Sequence, residues 1–155
     1  MIEIPAILHP TDFSDLSLHA MEYAQLLARK LSAALHCLHV VDDSYRYWLA
    51  TDVIAAPVGP PLDQLLTAGQ KHLEEFAARH VPGDLPVVRD VRPGQPFLEI
   101  IRYAREHAIG LIVMGTHGRT GLKHVLLGSV AEKVVRKSPC PVLTVRPPEH
   151  RFEMP

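Results

Sequence analysis

The 155-residue chain carries 16 Lys and Arg against 17 Asp and Glu, a formal charge of -1, with 47% hydrophobic and 21% charged residues. That length predicts one domain, able to bury its own core without disulfides or a structural metal. The near-zero charge argues against a nucleic-acid surface built on phosphate neutralisation; no apolar run reaches the roughly 18 residues of a membrane span, and Met1-Ile2-Glu3-Ile4-Pro5 lacks the features of a signal peptide, so a soluble cytoplasmic protein is expected.

Ala6-Ile7-Leu8 reads as a first strand, followed by a helix with Leu16, Ala20, Ala24, Leu27 and Leu31 on one face. A second strand covers Ala34 to Val41, with Cys37 at its centre as a small core residue. Neither Cys37 nor Cys140 lies in a CxxC pair or a zinc-spaced cluster, so both read as structural. After a long connection, Leu62, Leu65, Leu66, Leu73, Phe76 and Ala77 mark a second helix, and Leu85 to Val91 is extended. A third helix places Phe97, Ile100, Ile101, Ala104 and Ala108 on one face and leads into the continuous apolar strand Leu111-Ile112-Val113-Met114. A helix from Ser129 to Arg136 and a strand Val142-Leu143-Thr144-Val145 end the pattern, which contains no internal repeat. Alternating strands and helices predict right-handed crossovers and a parallel sheet covered on both faces, with ligands bound beyond the carboxyl ends of the strands.

The segment after the fourth strand, Met114-Gly115-Thr116-His117-Gly118-Arg119-Thr120-Gly121, begins a run with four glycines in 14 residues, Gly115 to Gly128. Such a loop either turns the chain or lets a phosphate approach the backbone. Ser129-Val130-Ala131-Glu132 has the form of a capping box, which predicts a helix N-terminus suited to an anion. The GxxxxGK[ST] and GxGxxG phosphate motifs are both absent.

Gly115-x2-Gly118-x9-Gly128-Ser129 matches the G-2x-G-9x-G(S/T) signature of the ATP-binding branch of the universal stress protein family. A chance match in a chain of this length is on the order of 1 in 100. The resemblance extends to Ile7-Leu8-His9-Pro10-Thr11-Asp12-Phe13-Ser14 and to Ser138-Pro139-Cys140-Pro141-Val142-Leu143-Thr144-Val145-Arg146, and it implies a single domain over residues 1–148 with a C-terminal tail at 149–155. It implies a three-layer α/β/α sandwich, a Rossmann-like fold with a five-stranded parallel sheet in the order 3-2-1-4-5, and ATP across the carboxyl ends of strands one, two and four. Pro10, Thr11 and Asp12 resemble the turn that meets adenine and ribose, and Val41 the second-strand contact with adenine. Met114, Gly115, His117, Gly118 and Arg119 match the first part of the phosphate and ribose loop, and Gly128, Ser129 and Val130 the second. Mg²⁺ or Mn²⁺ is expected with the triphosphate. A homodimer is implied through the last strand, Val142 to Val145, whose flanking Pro139, Pro141, Pro147 and Pro148 fit a sheet edge.

The residues themselves leave alternatives beside these roles. Asp12 can accept from ribose hydroxyls or cap the following helix, Val41 can pack on a base or end its strand, and Ser129 can contact phosphate or cap its helix. From His117 to Lys137 the charges are Arg119, Lys123, Lys133, Arg136 and Lys137 against Glu132, which favours a polyphosphate or simply solvates a helix face. His36 and His39 fall on opposite faces of their strand, and of the ten histidines only His117 and His124 share the glycine loop. Tyr45, Tyr47 and Trp48 lie in the Asp42 to Pro61 connection, as a lid, a dimer contact or a tucked helix. The expected function is an ATP-binding stress-response or signalling module. A slow ATP hydrolase or phosphotransferase is the alternative, with only His117 or Asp12 as candidate bases, and a nucleotide-free interaction module is the third.

Overall fold

In the computed structural model, which describes residues 2–43, 59–117 and 127–148, the unbroken apolar run at the start becomes β1 (Ala6–Pro10), a strand buried on both faces. It is followed by α1 (Asp15–Leu31), β2 (Ala34–Val41), α2 (Leu62–His80), β3 (Val87–Pro93), α3 (Pro96–Glu106), β4 (Leu111–Gly115), α4 (Ser129–Lys137) and β5 (Val142–Val145). All strand pairs are parallel, in the order β3-β2-β1-β4-β5. The order reverses at β1, whose neighbours are β2 and β4, so the crevice at the carboxyl ends of β1 and β4 is the topological switch point.

Strand alternation divides the core into two layers. Ile7, Leu35, Cys37 and Val113 face α1 and α2, meeting Ala20, Met21, Ala24, Leu73 and Ala77. Leu8, Leu38, Ile112 and Met114 face α3 and α4, meeting Ile100, Tyr103, Ala104, Ala131 and Val134. Each fully buried aliphatic side chain contributes roughly 1.5–3 kcal/mol relative to exposure. Cys37 belongs to the first layer, where burial pushes its thiol up to about 12, and Cys140 is half-buried with its thiol also raised, as inert structural cysteines require.

Helix faces and ends differ from the sequence expectation in three places. The buried stripe of α1 is Ser17, Ala20, Met21, Ala24 and Ala28, and Leu31 is 45% exposed, because small residues let the helix sit close to the sheet while the leucines flank the contact. Ala108 lies beyond α3, exposed and at φ 48, where it turns the chain after the helix. Ser129 is the first residue of α4 and Gly128 is its N-cap, with no side-chain cap, so the capping box predicted there does not form.

Candidate functional site

The turn after β1 is built on backbone and side-chain hydrogen bonds. Thr11, almost fully buried, donates its N–H to Leu38 O at 2.9 Å and so extends the β1–β2 ladder by one residue. Asp12 Oδ1 accepts from the Ser14 N–H at 3.0 Å and from the Ser14 hydroxyl at 2.6 Å. Ser14 is the N-cap of α1 and accepts from the Ser17 N–H at 3.2 Å. Of the two roles open to Asp12, the helix cap is made by Ser14, and Asp12 braces that cap at the carboxyl end of β1.

A buried chain of polar groups runs from this turn to β4. His9 has no solvent exposure, and its Nδ1–H donates to Val113 O at 3.0 Å, since a carbonyl can only accept. Nε2 is then an acceptor, 3.4 Å from Ser17 Oγ, which in turn lies 2.7 Å from Thr11 Oγ1. The Phe13 N–H donates to Thr11 Oγ1 at 3.1 Å. Burial pushes the His9 imidazole down to about 4, against the opposing pull of the Val113 bond and of Asp12, so it is neutral at physiological pH. The two strands whose ends form the switch point are thus joined by hydrogen bonds as well as by the sheet.

At the end of β4, Met114 is buried, Gly115 is half-buried and Thr116 is 2% exposed. A Cβ on Gly115 would stand 3.0 Å from Leu16 Cγ, so close packing on α1 gives that glycine a reason independent of any phosphate. The Thr116 N–H donates to Val145 O at 2.9 Å, its carbonyl accepts from the Gly128 N–H at 2.6 Å, and its hydroxyl lies 3.0 Å from His117 Nδ1. Thr116 therefore clasps the base of the glycine segment and delivers the chain to α4. There Gly128 O accepts the first helical bond, from Glu132 N at 2.9 Å, and Ser129 and Val130 lie in the first turn with no side chain among the described residues capping them. An uncapped first turn presents donors and a positive dipole end to an anion.

The third wall is the end of β2. Val41 is buried, its carbonyl accepts from the Gly94 N–H at 3.0 Å, and Gly94 adopts φ 134, which a side chain would strain. Gly69 on α2 lies against this strand: a Cβ there would meet His39 Cδ2 and Val91 Cγ1 at 3.2 Å and Val41 Cγ2 at 3.4 Å. His39 Nδ1 donates to Thr11 O at 2.9 Å, whereas His36 Nδ1 lies 2.9 Å from Tyr103 Oη on the other face, as their odd spacing predicts.

Of the sequence candidates, Pro10, Thr11, Asp12, Val41, Met114, Gly115, His117, Gly128, Ser129 and Val130 occupy the carboxyl ends of β1, β2 and β4 or the first turn of α4. Gly118 and Arg119 lie outside the described residues, as do Lys123, His124 and the aromatic trio Tyr45, Tyr47 and Trp48. Thr116, His9 and Ser17 escaped the sequence reading, because a lone Thr between glycines and a His in an apolar strand carry no spacing signal. On α4, Lys133 and Lys137 lie 4.9 and 5.6 Å from the Phe97 ring, so these cations pack on an aromatic face as well as supplying positive charge. Among the described residues no group of three His, Cys, Asp or Glu could hold a metal ion, and no helix is long and apolar enough to cross a membrane. A phosphate-bound Mg²⁺ keeps several waters and takes few protein ligands, so it does not require such a cluster.

Comparison with known proteins places this arrangement in context. Residues 4–146 match the model of the Universal stress protein family. Universal stress protein MJ0531 of Methanocaldococcus jannaschii is 35% identical over 143 residues, covering 92% of this chain and 82% of that protein. Universal stress protein MJ0577 of the same organism is 31% identical over 153 residues, covering 90% and 93% respectively. The solved structure of MJ0577 superimposes with a TM-score of 0.78 at 27% identity over 96% of this chain and 100% of its own. A universal stress protein solved in complex with cAMP has a TM-score of 0.64 over 93% of this chain and 98% of its own, a likeness of fold at 24% identity.

Proposed function

The chain belongs to the universal stress protein family, and on that premise we propose that it binds ATP across the carboxyl ends of β1, β2 and β4 and acts as a nucleotide-dependent module in stress response or signalling. The observation that carries the reading is the meeting of the Thr11-Asp12 turn, the Thr116–Gly128 clasp and the uncapped start of α4 at one switch point. Adenine packs against Val41, the ribose hydroxyls face Asp12, and the phosphates meet the backbone N–H groups of Ser129 and Val130. Gly118 and Arg119 complete the phosphate loop by the family motif. Mg²⁺ or Mn²⁺ accompanies the triphosphate, held mainly by phosphate oxygens and water. The chain works in the cytoplasm as a homodimer paired through the β5 edge, Val142 to Val145.

Heat extraction of the purified protein, with identification of any released nucleotide, tests the reading, together with ATP titration of Gly128→Val. The backbone at Gly128, φ -67 and ψ 159, is one that valine adopts, so the substitution adds no backbone strain, and circular dichroism checks that the variant is folded. ATP affinity is expected to fall at least about tenfold. Absence of nucleotide from the wild type, with no measurable affinity for added ATP, would overturn the proposal. Single-turnover assays with radiolabelled ATP separate a binder from a slow hydrolase.

A further inference from the structure

Among the described residues, three without a glycine's freedom adopt a left-handed backbone: Phe13 at φ 64, Ser32 at φ 53 and Ala108 at φ 48. Ser32 and Ala108 sit at or just past helix C-termini, where this conformation is a routine way to end the helix. Phe13 instead lies between a strand and a helix, directly after Asp12, where its Cβ makes the conformation costly and no helix end supplies a reason for it. Contacts elsewhere must hold such a residue in place.

Those contacts are aromatic. The Phe13 ring lies 4.4 Å from the His39 ring, 5.6 Å from Phe76 and 5.9 Å from His72, the last two from α2 and both edge-on. His39 also donates to Thr11 O at 2.9 Å, and the Phe13 N–H reaches Thr11 Oγ1 at 3.1 Å. The ring is therefore wedged into a small aromatic cluster, one member of which, His39, is bonded to the same turn.

We propose that Phe13 is a positioning residue of the nucleotide site: its ring, held between His39 and α2, keeps the strained turn in the conformation that presents Thr11 and Asp12 to adenine and ribose. The inference rests on the proposed ATP binding, and it assigns Phe13 an effect on affinity without contact to the nucleotide.

The test compares Phe13→Ala, Phe13→Gly and Phe13→Leu in the full chain, measuring ATP affinity by calorimetry and amide hydrogen exchange at residue 13 and at Ser14. Loss of the wedge in Phe13→Ala is expected to weaken ATP roughly tenfold and to speed exchange at those two amides by a similar factor. Phe13→Gly, which adopts φ 64 without strain, is expected to lose only about threefold. A merely structural role gives the same order in thermal stability, because only glycine is unstrained at φ 64, so the deciding readout is the ATP affinity of each variant well below its melting temperature, which a merely structural role leaves unchanged. Phe13→Leu keeps an apolar wedge and stays near the wild type; where Phe13→Ala does not fold, Phe13→Gly is compared with Phe13→Leu, and equal ATP affinity in those two variants overturns the proposal. Unchanged ATP affinity in a folded Phe13→Ala, or a Gly variant weaker than the Ala variant, would overturn the proposal. If the wild type itself takes up no ATP, the proposed function falls and the nucleotide role of Phe13 with it, and that result is distinct from a wild type that binds and a variant that does not respond.

Discussion

His9 is a titratable side chain placed entirely out of water, between a carbonyl of β4 and a hydroxyl of α1. Folded His9 stays neutral down to about pH 4, while the unfolded chain takes up that proton near its ordinary value of 6.5. Between those two values the unfolded state binds more protons, so the His9 contribution is complete above about pH 6.5 and is lost as pH falls toward about 4, by roughly 3 kcal/mol in all. His36, held below its ordinary range by burial and by the neighbouring His107, adds a dependence of the same sign. The urea midpoint of the wild type is therefore expected to drop between about pH 7 and about pH 4.5, and His9→Gln to show a shallower dependence. Equal pH slopes in the two proteins would remove His9 as the source. Ser129 shows a different limit at this scale. Its sequence position fits a cap, but the N-cap role passes to Gly128 because the Thr116 carbonyl takes the Gly128 N–H and fixes where the helix begins.

At the level of elements, the approach of α2 to the sheet is set by one missing side chain. In an exposed helix, Gly→Ala is worth about 1 kcal/mol of stability. At Gly69 the added Cβ would press on His39 and Val91 at 3.2 Å, and His39 cannot yield easily because it is bonded to Thr11 O and packed on Phe13. Gly69→Ala is expected to gain no thermal stability and to weaken ATP several-fold by displacing His39 and Val41. A melting temperature raised by the full helix-propensity gain, with ATP affinity intact, would show that α2 has room to move. The existence and order of the elements were legible in the sequence because each carries its own periodicity: the continuous run Leu111 to Met114 reads as a buried strand whatever surrounds it. The buried face of α1 was less so. Ala20 and Ala24 lie on the expected stripe, but Met21 and Ala28 do not, and only the distance between helix and sheet decides that these pack inward while Leu31 stays exposed.

Across the whole molecule, β5 ends the sheet, and Leu143 on it is 38% exposed. An apolar side chain on an open edge is a site for pairing with a second copy. Leu143→Asp is expected to leave the fold intact and to convert the proposed dimer to a monomer in sedimentation equilibrium, and an unchanged dimer would place the interface elsewhere. The sequence by itself determined the fold class, the strand and helix order, the glycine segment and the family, since these reside in local periodicity and in a motif of fixed spacing. Only the tertiary structure decided that His9, Ser17 and Thr11 form one buried relay, that Thr116 clasps Gly128, and that Phe13 is strained beneath His39 and α2. Those pairings join residues from different strands and helices, and the side chains involved acquire a partner, a protonation state or a strained backbone only when parallel packing brings them together.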